Sequence, residues 1–303
     1  MVQPARQSAR PSRHEHLDIP DLRILPVGAL VLHEHADDKR VARLAARLRT
    51  DGYLKNPPIV APIPGSDRYV VLDGANRTSA VQLMGCPHVV AQVVEYAAPH
   101  VQLTTWYHLI TGRGPKTFLK EISGVKGLKA QPAPFTLART LLASRSILSY
   151  LVLPPGEGRS KSEVYMLGDT EGDNQQGLQN STVLLNAMVD TYKSDPQVAI
   201  HRVNTDELDE LMDYYDEVSG LVVFPPYSPE DILKLAEAGT KVPTGITRHI
   251  ISHRALRINM PTNMLFSSDS LEEKNAWLHE QLKRKLAANE IRLYQESTYL
   301  FDE

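Results

Sequence analysis

Successive apolar and polar residues sort the first hundred positions into short strands and helices. Residues 22–32 alternate enough for a short strand, broken by a turn around Pro26-Val27-Gly28, and His33-Glu34-His35 follows in a loop. Residues 37–50 place Val41, Leu44, Ala45 and Leu48 on one face, with Lys39, Arg40, Arg43, Arg47 and Arg49 pointing away. That is an amphipathic helix, stopped by Asp51-Gly52. Strands are predicted over 59–63 and 69–72 around Pro64-Gly65, then a helix over 76–84 closed by Gly85 and a valine-rich strand over 89–95. Residues 113–135 lack strong periodicity and read as a boundary or long connection. Beyond them come a helix (136–145), strands (150–153, 164–167), a helix (179–193), a strand (198–203), a helix (205–217), a strand (221–224) and a helix (229–238). This alternation indicates a second α/β layer structure. A loop over 240–249 and a charged amphipathic helix over 270–288 complete the chain.

Composition narrows the class. The 303 residues, 42% hydrophobic and 23% charged, suit one large or two ordinary globular domains. A net charge of −3 gives no electrostatic reason to expect a nucleic-acid partner. No apolar run approaches the roughly 20 residues that span a bilayer, so no membrane partner is expected. Cys86 is the single cysteine, which excludes an internal disulfide and any multi-cysteine metal site. Residues 1–16 are rich in Arg, Ser and Pro without an apolar stretch; they read as a disordered tail, not a secretory signal, on a cytoplasmic protein.

Chemistry concentrates around residues 69–78, Tyr-Val-Val-Leu-Asp-Gly-Ala-Asn-Arg-Thr. A strand runs into an Asp-Gly turn that feeds a helix, whose free N–H groups and dipole suit an anion; Arg77 adds a forked donor shaped for phosphate. The plain alternative is an ordinary strand-to-helix connection. The spacings His14/His16, His33/His35 and His249/His253 allow a metal site only weakly, since no HExxH arrangement or thiolate pair accompanies them. GxSxG, GxGxxG and Walker A motifs are absent. Glu34, the Asp73-Gly74 turn with Arg77, the pair Trp106-Tyr107 and the run Thr247-Arg248-His249 remain. Together they supply a carboxylate base, a phosphate cradle and cationic side chains, the parts phosphoryl transfer requires.

These residues also carry a resemblance. Residues 24–95, with Leu32-His33-Glu34, the run Gly52-Tyr53-Leu54-Lys55-Asn56-Pro57-Pro58 and Leu72-Asp73-Gly74-Ala75-Asn76-Arg77, resemble the ParB/sulfiredoxin-like fold. With Thr105-Trp106-Tyr107 and Pro229-Glu230-Asp231-Ile232 leading to Thr247-Arg248-His249, the chain resembles the free L-serine kinases over about residues 20–266. The resemblance implies an α+β protein: a ParB/sulfiredoxin-like nucleotide-binding domain (17–113), then an α/β C-terminal domain (114–303) that completes the substrate site. It implies that Glu34 is the general base on the serine hydroxyl. Asp73, Gly74, Ala75, Asn76, Arg77 and Thr78 would form the phosphate-binding segment, and Trp106, Thr247, Arg248 and His249 would enclose L-serine, with Arg248 on its carboxylate. ADP or ATP would be the donor and Mg²⁺ the ion, with Asp73 the one candidate ligand.

Two departures bear on this reading. The family commonly has histidine immediately before the arginine; Asn76 stands there and can donate to phosphate but cannot shuttle a proton. Sulfiredoxin needs a cysteine where this chain has Ala75, so that redox chemistry is excluded. A chromosome-partitioning protein would need a helix-turn-helix after the nucleotide domain, and the pattern continues as α/β instead. The alternative function is a nucleotide-binding transcriptional or chromosome-associated regulator without catalysis. Glu34 discriminates, because a sensor needs no base.

Overall fold

The computed structural model describes residues 19–156, 158, 160–169 and 177–294; the expected tail over 1–16, with His14 and His16, lies outside them. The chain opens with β1 (Leu22–Pro26), β2 (Leu30–Leu32), α1 (Asp38–Asp51), β3 (Tyr53–Leu54), β4 (Ile59–Pro62), β5 (Tyr69–Asp73), α2 (Ala75–Leu83) and β6 (His88–Val93). β1, β6, β4, β5 and β2 form a five-stranded sheet in that order. Asp37 caps α1 by accepting from the Arg40 N–H at 3.0 Å, and Gly52 ends the helix in the left-handed conformation. The run Val70-Val71-Leu72 is buried throughout because both faces of the sheet are covered. Val60 and Val71 pack toward Ala45 of α1 and Val81 of α2, whereas Val70 and Leu72 join a core shared with the rest of the chain.

The middle of the chain holds β7 (Val101–Thr105), β8 (Tyr107–Thr111), α3 (Pro115–Ser123), β9 (Leu128–Pro132), α4 (Phe135–Ala143), β10 (Ser149–Leu153), β11 (Glu163–Asp169), α5 (Leu178–Lys193), β12 (Ala199–Val203), α6 (Leu208–Leu211), β13 (Val218–Val223) and α7 (Pro229–Glu237). Strands and helices do alternate, but the six-stranded sheet β12-β8-β13-β10-β11-β9 is antiparallel at every pairing. Two expectations change. The stretch read as a connection contains α3, which buries Phe118 and Ile122 one turn apart, and the strand β9. The helix expected over 205–217 shrinks to α6, because Asp206 is tied to Arg139 and Tyr150 while Tyr214 stands exposed and Glu217 turns left-handed.

The chain then returns to the first sheet through β14 (Thr247–Ile251), β15 (Met260–Pro261), α8 (Thr262–Phe266) and α9 (Leu271–Ala287). β14 pairs antiparallel with β7, Thr247 opposite Thr105, and β15 pairs with β3. α9 starts with a capping box between Ser270 and Glu273 and lies against β1, where Asn275 donates to and accepts from the Ile24 backbone at 2.9 Å each. Among the described residues no helix is long and apolar enough to cross a membrane.

Candidate active site

The parallel pairing of β2 with β5, Leu32 opposite Val71, sends His33-Glu34 and Leu72-Asp73 out of the sheet side by side. A segment between α7 and β14 clamps the first of these. The Val242 N–H donates to the His33 carbonyl (2.8 Å), the Thr244 hydroxyl to the His35 carbonyl (2.9 Å) and the Gly245 N–H to Glu34 Oε2 (3.0 Å). Glu34 is thus fixed through one carboxylate oxygen, and the described contacts leave Oε1 open. Gly245 adopts φ +81°, and a Cβ there would meet the Arg202 guanidinium from β12.

β5 ends at Asp73, and Gly74 turns the chain left-handed (φ +94°) into α2. A Cβ at Gly74 would sit 3.1 Å from the Arg77 guanidinium and from Pro58 Cα, so glycine keeps this turn closed over its arginine. Arg77 donates to Asp73 Oδ2 (2.9 Å) and to the Asn56 carbonyl (3.3 Å). The first helical bond runs from the Thr78 N–H to the Gly74 carbonyl, leaving the preceding N–H groups of α2 to face an anion. Asn76 uses its amide oxygen to accept the Asp37 N–H (2.8 Å), which ties the starts of α1 and α2 together and leaves its NH₂ group as a donor. Thr78 differs from its neighbours, since its Oγ1 is fully enclosed and has no hydrogen-bond partner.

The ribbon of β7 and β14 closes the other side. The Trp106 N–H donates to the Ile246 carbonyl (2.8 Å), and the Arg248 guanidinium lies 4.2 Å above the Trp106 ring. That stacking orients Arg248 while leaving its in-plane N–H groups for a carboxylate. The Thr247 hydroxyl meets His33 Nε2 at 2.8 Å, and the opposite ring nitrogen of His33 meets the Val71 carbonyl. His249 packs edge-on against His33 at 5.2 Å and meets the Tyr96 hydroxyl at 2.7 Å. Burial, then the nearby His33, holds the His249 pKa well below the usual histidine value, so this ring is neutral. Burial likewise raises the Tyr96 hydroxyl, which stays protonated and donates to His249.

The fold therefore gathers Glu34, Asp73–Arg77 and the Trp106/Thr247–His249 group onto one end of the first sheet. Sequence reasoning missed Arg254, whose guanidinium also bonds Asp73 Oδ2, and the supports His33, Gly245 and Tyr96. Asn56 and Gln92 were missed too; their buried amides fasten residues 253–257 beside the turn. Their signal was faint, since each is a polar residue whose partner lies far along the chain.

These groups offer a metal ion few protein ligands. Among the described residues no cluster of three or more His, Cys, Asp or Glu side chains forms. Both arginine bonds fall on Asp73 Oδ2, so Oδ1 remains as a single carboxylate ligand. One carboxylate with water and phosphate oxygens is a common Mg²⁺ arrangement, and the residues fit an ion held mainly by the nucleotide.

No family model matches the chain. Among characterised proteins it is similar to an ATP-dependent L-serine kinase of Staphylothermus marinus, at 25% identity over 244 residues, covering 80% of this chain and 90% of that one. It is also similar to the ATP-dependent L-serine kinase SbnI of Staphylococcus aureus, at 24% identity over 296 residues, covering 96% and 98%. Among solved structures, a free serine kinase variant in complex with AMP superposes with a TM-score of 0.67 at 18% identity, over 83% of this chain and 98% of that one. C-terminally truncated SbnI superposes at 0.65 and 20% identity, over 90% and 98%. Sequence similarity along nearly the whole of these relatives, joined to the same α+β fold, makes the chain similar to the free L-serine kinases from end to end.

Proposed function

We propose that this protein transfers the terminal phosphoryl group of ADP or ATP to the hydroxyl of free L-serine, giving O-phospho-L-serine. The observation that carries the reading is Glu34, held through Oε2 by the Gly245 N–H with Oε1 open, beside the Asp73-Gly74 cradle. The nucleotide-dependent L-serine kinases to which the chain is similar support it. Thr247, Arg248, His249 and Trp106 hold serine, with Arg248 on its carboxylate. Glu34 Oε1 takes the hydroxyl proton as serine Oγ bonds to phosphorus. The bond from phosphorus to the nucleotide oxygen breaks, and the nucleotide leaves shorter by one phosphate. Arg77, the Asn76 NH₂ and the α2 N–H groups balance charge on the phosphate oxygens. Asp73 Oδ1 would hold Mg²⁺, which supplies charge neutralisation between the phosphates when bound. The unit before residue 113 supplies the base and phosphate seat, and later residues complete the serine side. Cytoplasmic nucleotide and serine pools make that compartment the natural one.

The test is incubation with L-serine, Mg²⁺ and ADP or ATP, with detection of O-phosphoserine. Product with either donor, lost on adding EDTA, is the expected result; no product with either donor sinks the kinase reading. Glu34→Gln is expected to lower kcat at least a hundredfold while nucleotide affinity stays within a few-fold. A variant that retained wild-type kcat would remove Glu34 from the chemistry. Nucleotide binding without turnover would favour the regulator instead.

A further inference from the structure

Residues 252–259 cross beside the Asp73-Gly74 turn without regular secondary structure, and three of them that are not glycine, His253, Arg257 and Asn259, sit in the left-handed region. Such backbone persists only when its surroundings impose it. The buried Gln92 amide donates to the His253 carbonyl (3.0 Å) and accepts from the Ala255 N–H (2.8 Å). Asn56 Oδ1 accepts from the Arg257 N–H (2.9 Å), and the Lys55 carbonyl accepts from the Asn259 N–H (3.2 Å). These four bonds present Arg254, the residue between the two Gln92 contacts, to Asp73.

We infer that Arg254 is a second phosphate-binding arginine of the nucleotide site. Asp73 already has Arg77 from its own turn, and both guanidinium groups share the same carboxylate oxygen. One carboxylate between two guanidinium groups leaves a surplus positive charge at the mouth of the α2 cradle, where phosphate oxygens bring the opposite sign. Arg254 is 40% exposed and Asp73 36%, so an ion pair between them adds little to stability, and a ligand can reach the guanidinium. Strained backbone is thus maintained to bring in a charge that the fold itself does not need. The inference rests on the nucleotide-binding half of the proposed function and adds a ligand that the strand–turn–helix motif does not contain.

The test is ADP affinity, measured without serine, for the wild type, Arg254→Met and Arg254→Lys, at low and high salt. Met keeps the aliphatic stem and removes the charge; Lys restores a charge without the fork. The expected result is at least a tenfold loss for Met, smaller at high salt, with partial recovery in Lys and near-unchanged melting temperatures. A loss under threefold in Met overturns the inference. So does a loss that Lys does not lessen and salt does not change, which would mark a contribution to the loop's shape. Wild-type protein that binds ADP but makes no O-phosphoserine with either donor sinks the kinase reading and leaves Arg254 standing; no ADP binding overturns the Arg254 inference, and the kinase reading falls with it only where neither donor gives product.

Discussion

His33 is the residue whose role is best defined by hydrogen-bond chemistry. The Val71 carbonyl can only accept, so the Nδ1 facing it carries the proton; in the neutral ring Nε2 must then accept from the Thr247 hydroxyl. Thr247 thereby spends its hydrogen on His33, and under the proposed function its lone pairs would face serine. Asparagine at 33 can copy Nδ1 but not Nε2, whereas glutamine reaches the Nε2 position. His33→Asn is expected to raise KM for serine about tenfold, roughly one hydrogen bond, with a smaller change in kcat. His33→Gln should recover most of that loss, and adding Thr247→Val to His33→Asn should cost little more. Steady-state kinetics of the four proteins decide it; equal effects of Asn and Gln would reduce His33 to packing. Glu34, Arg77 and Arg248 could be proposed from the sequence because their residue types declare what chemistry they can offer. His33 could not, since a histidine beside a glutamate shows its partners only once β14 is folded against it. Asn76 was legible as a departure, but only the bond to the Asp37 N–H shows what its amide oxygen does.

Among the elements, those with strong periodicity and clear caps were readable. α1, α5, α7 and α9 were anticipated to within a few residues, as were β4 and β5. β7, β8 and β9 were not, because strands that pair across long sequence distances carry only weak alternation, and the antiparallel order of the second sheet leaves no local mark. α9 shows a subtler limit. Its stripe Leu271, Trp277, Leu278, Leu282 and Leu286 was visible in the sequence, but Lys274 in the same helix is fully buried. Its ammonium donates to the Leu265 (3.1 Å) and Ser267 (2.8 Å) carbonyls at the end of α8 and meets His88 Nδ1 (3.1 Å). Lys274 therefore fastens α8 and α9 to β6, through an amino group with three polar partners. Lys274→Met, although apolar and of similar length, strands those carbonyls and is expected to lower stability by about 2–4 kcal/mol. Urea unfolding checks this against Ser270→Ala, where loss of the cap should cost about 1 kcal/mol. A neutral or stabilising Met would mean that water satisfies the carbonyls.

Over the whole molecule, the end of the first sheet that carries the candidate site depends on distant residues arriving correctly, and two buried histidines tie that arrival to pH. His108 on β8 meets the Tyr192 hydroxyl at 2.9 Å through Nδ1 and the Gly245 backbone on its other side. It thus stands behind the glycine that holds Glu34. Burial pushes His108 down to about 3, and His249 is held well below its usual value for the same first cause. In the unfolded chain both rings titrate near 6.5. As pH falls below that value the unfolded state takes up protons that the native state refuses, so stability falls, by up to about 1.4 kcal/mol per pH unit for each ring. Asp206 and Asp231 are shifted below the usual aspartate value, so the stability they add is lost only as pH falls below about 4, outside this window. Between pH 7 and 5 His108 should lower unfolding free energy by about 2 kcal/mol, and His249 acts in the same direction, read as a fall in urea midpoint. His108→Gln, which can still donate toward Gly245 but gives up the Tyr192 contact, should remove the His108 part of that dependence. A urea midpoint that held steady from pH 7 to 5 would mean that these rings admit a proton without unfolding. The neutral state of His249, and with it the direction of the Tyr96 hydrogen bond, would then have to be reassigned.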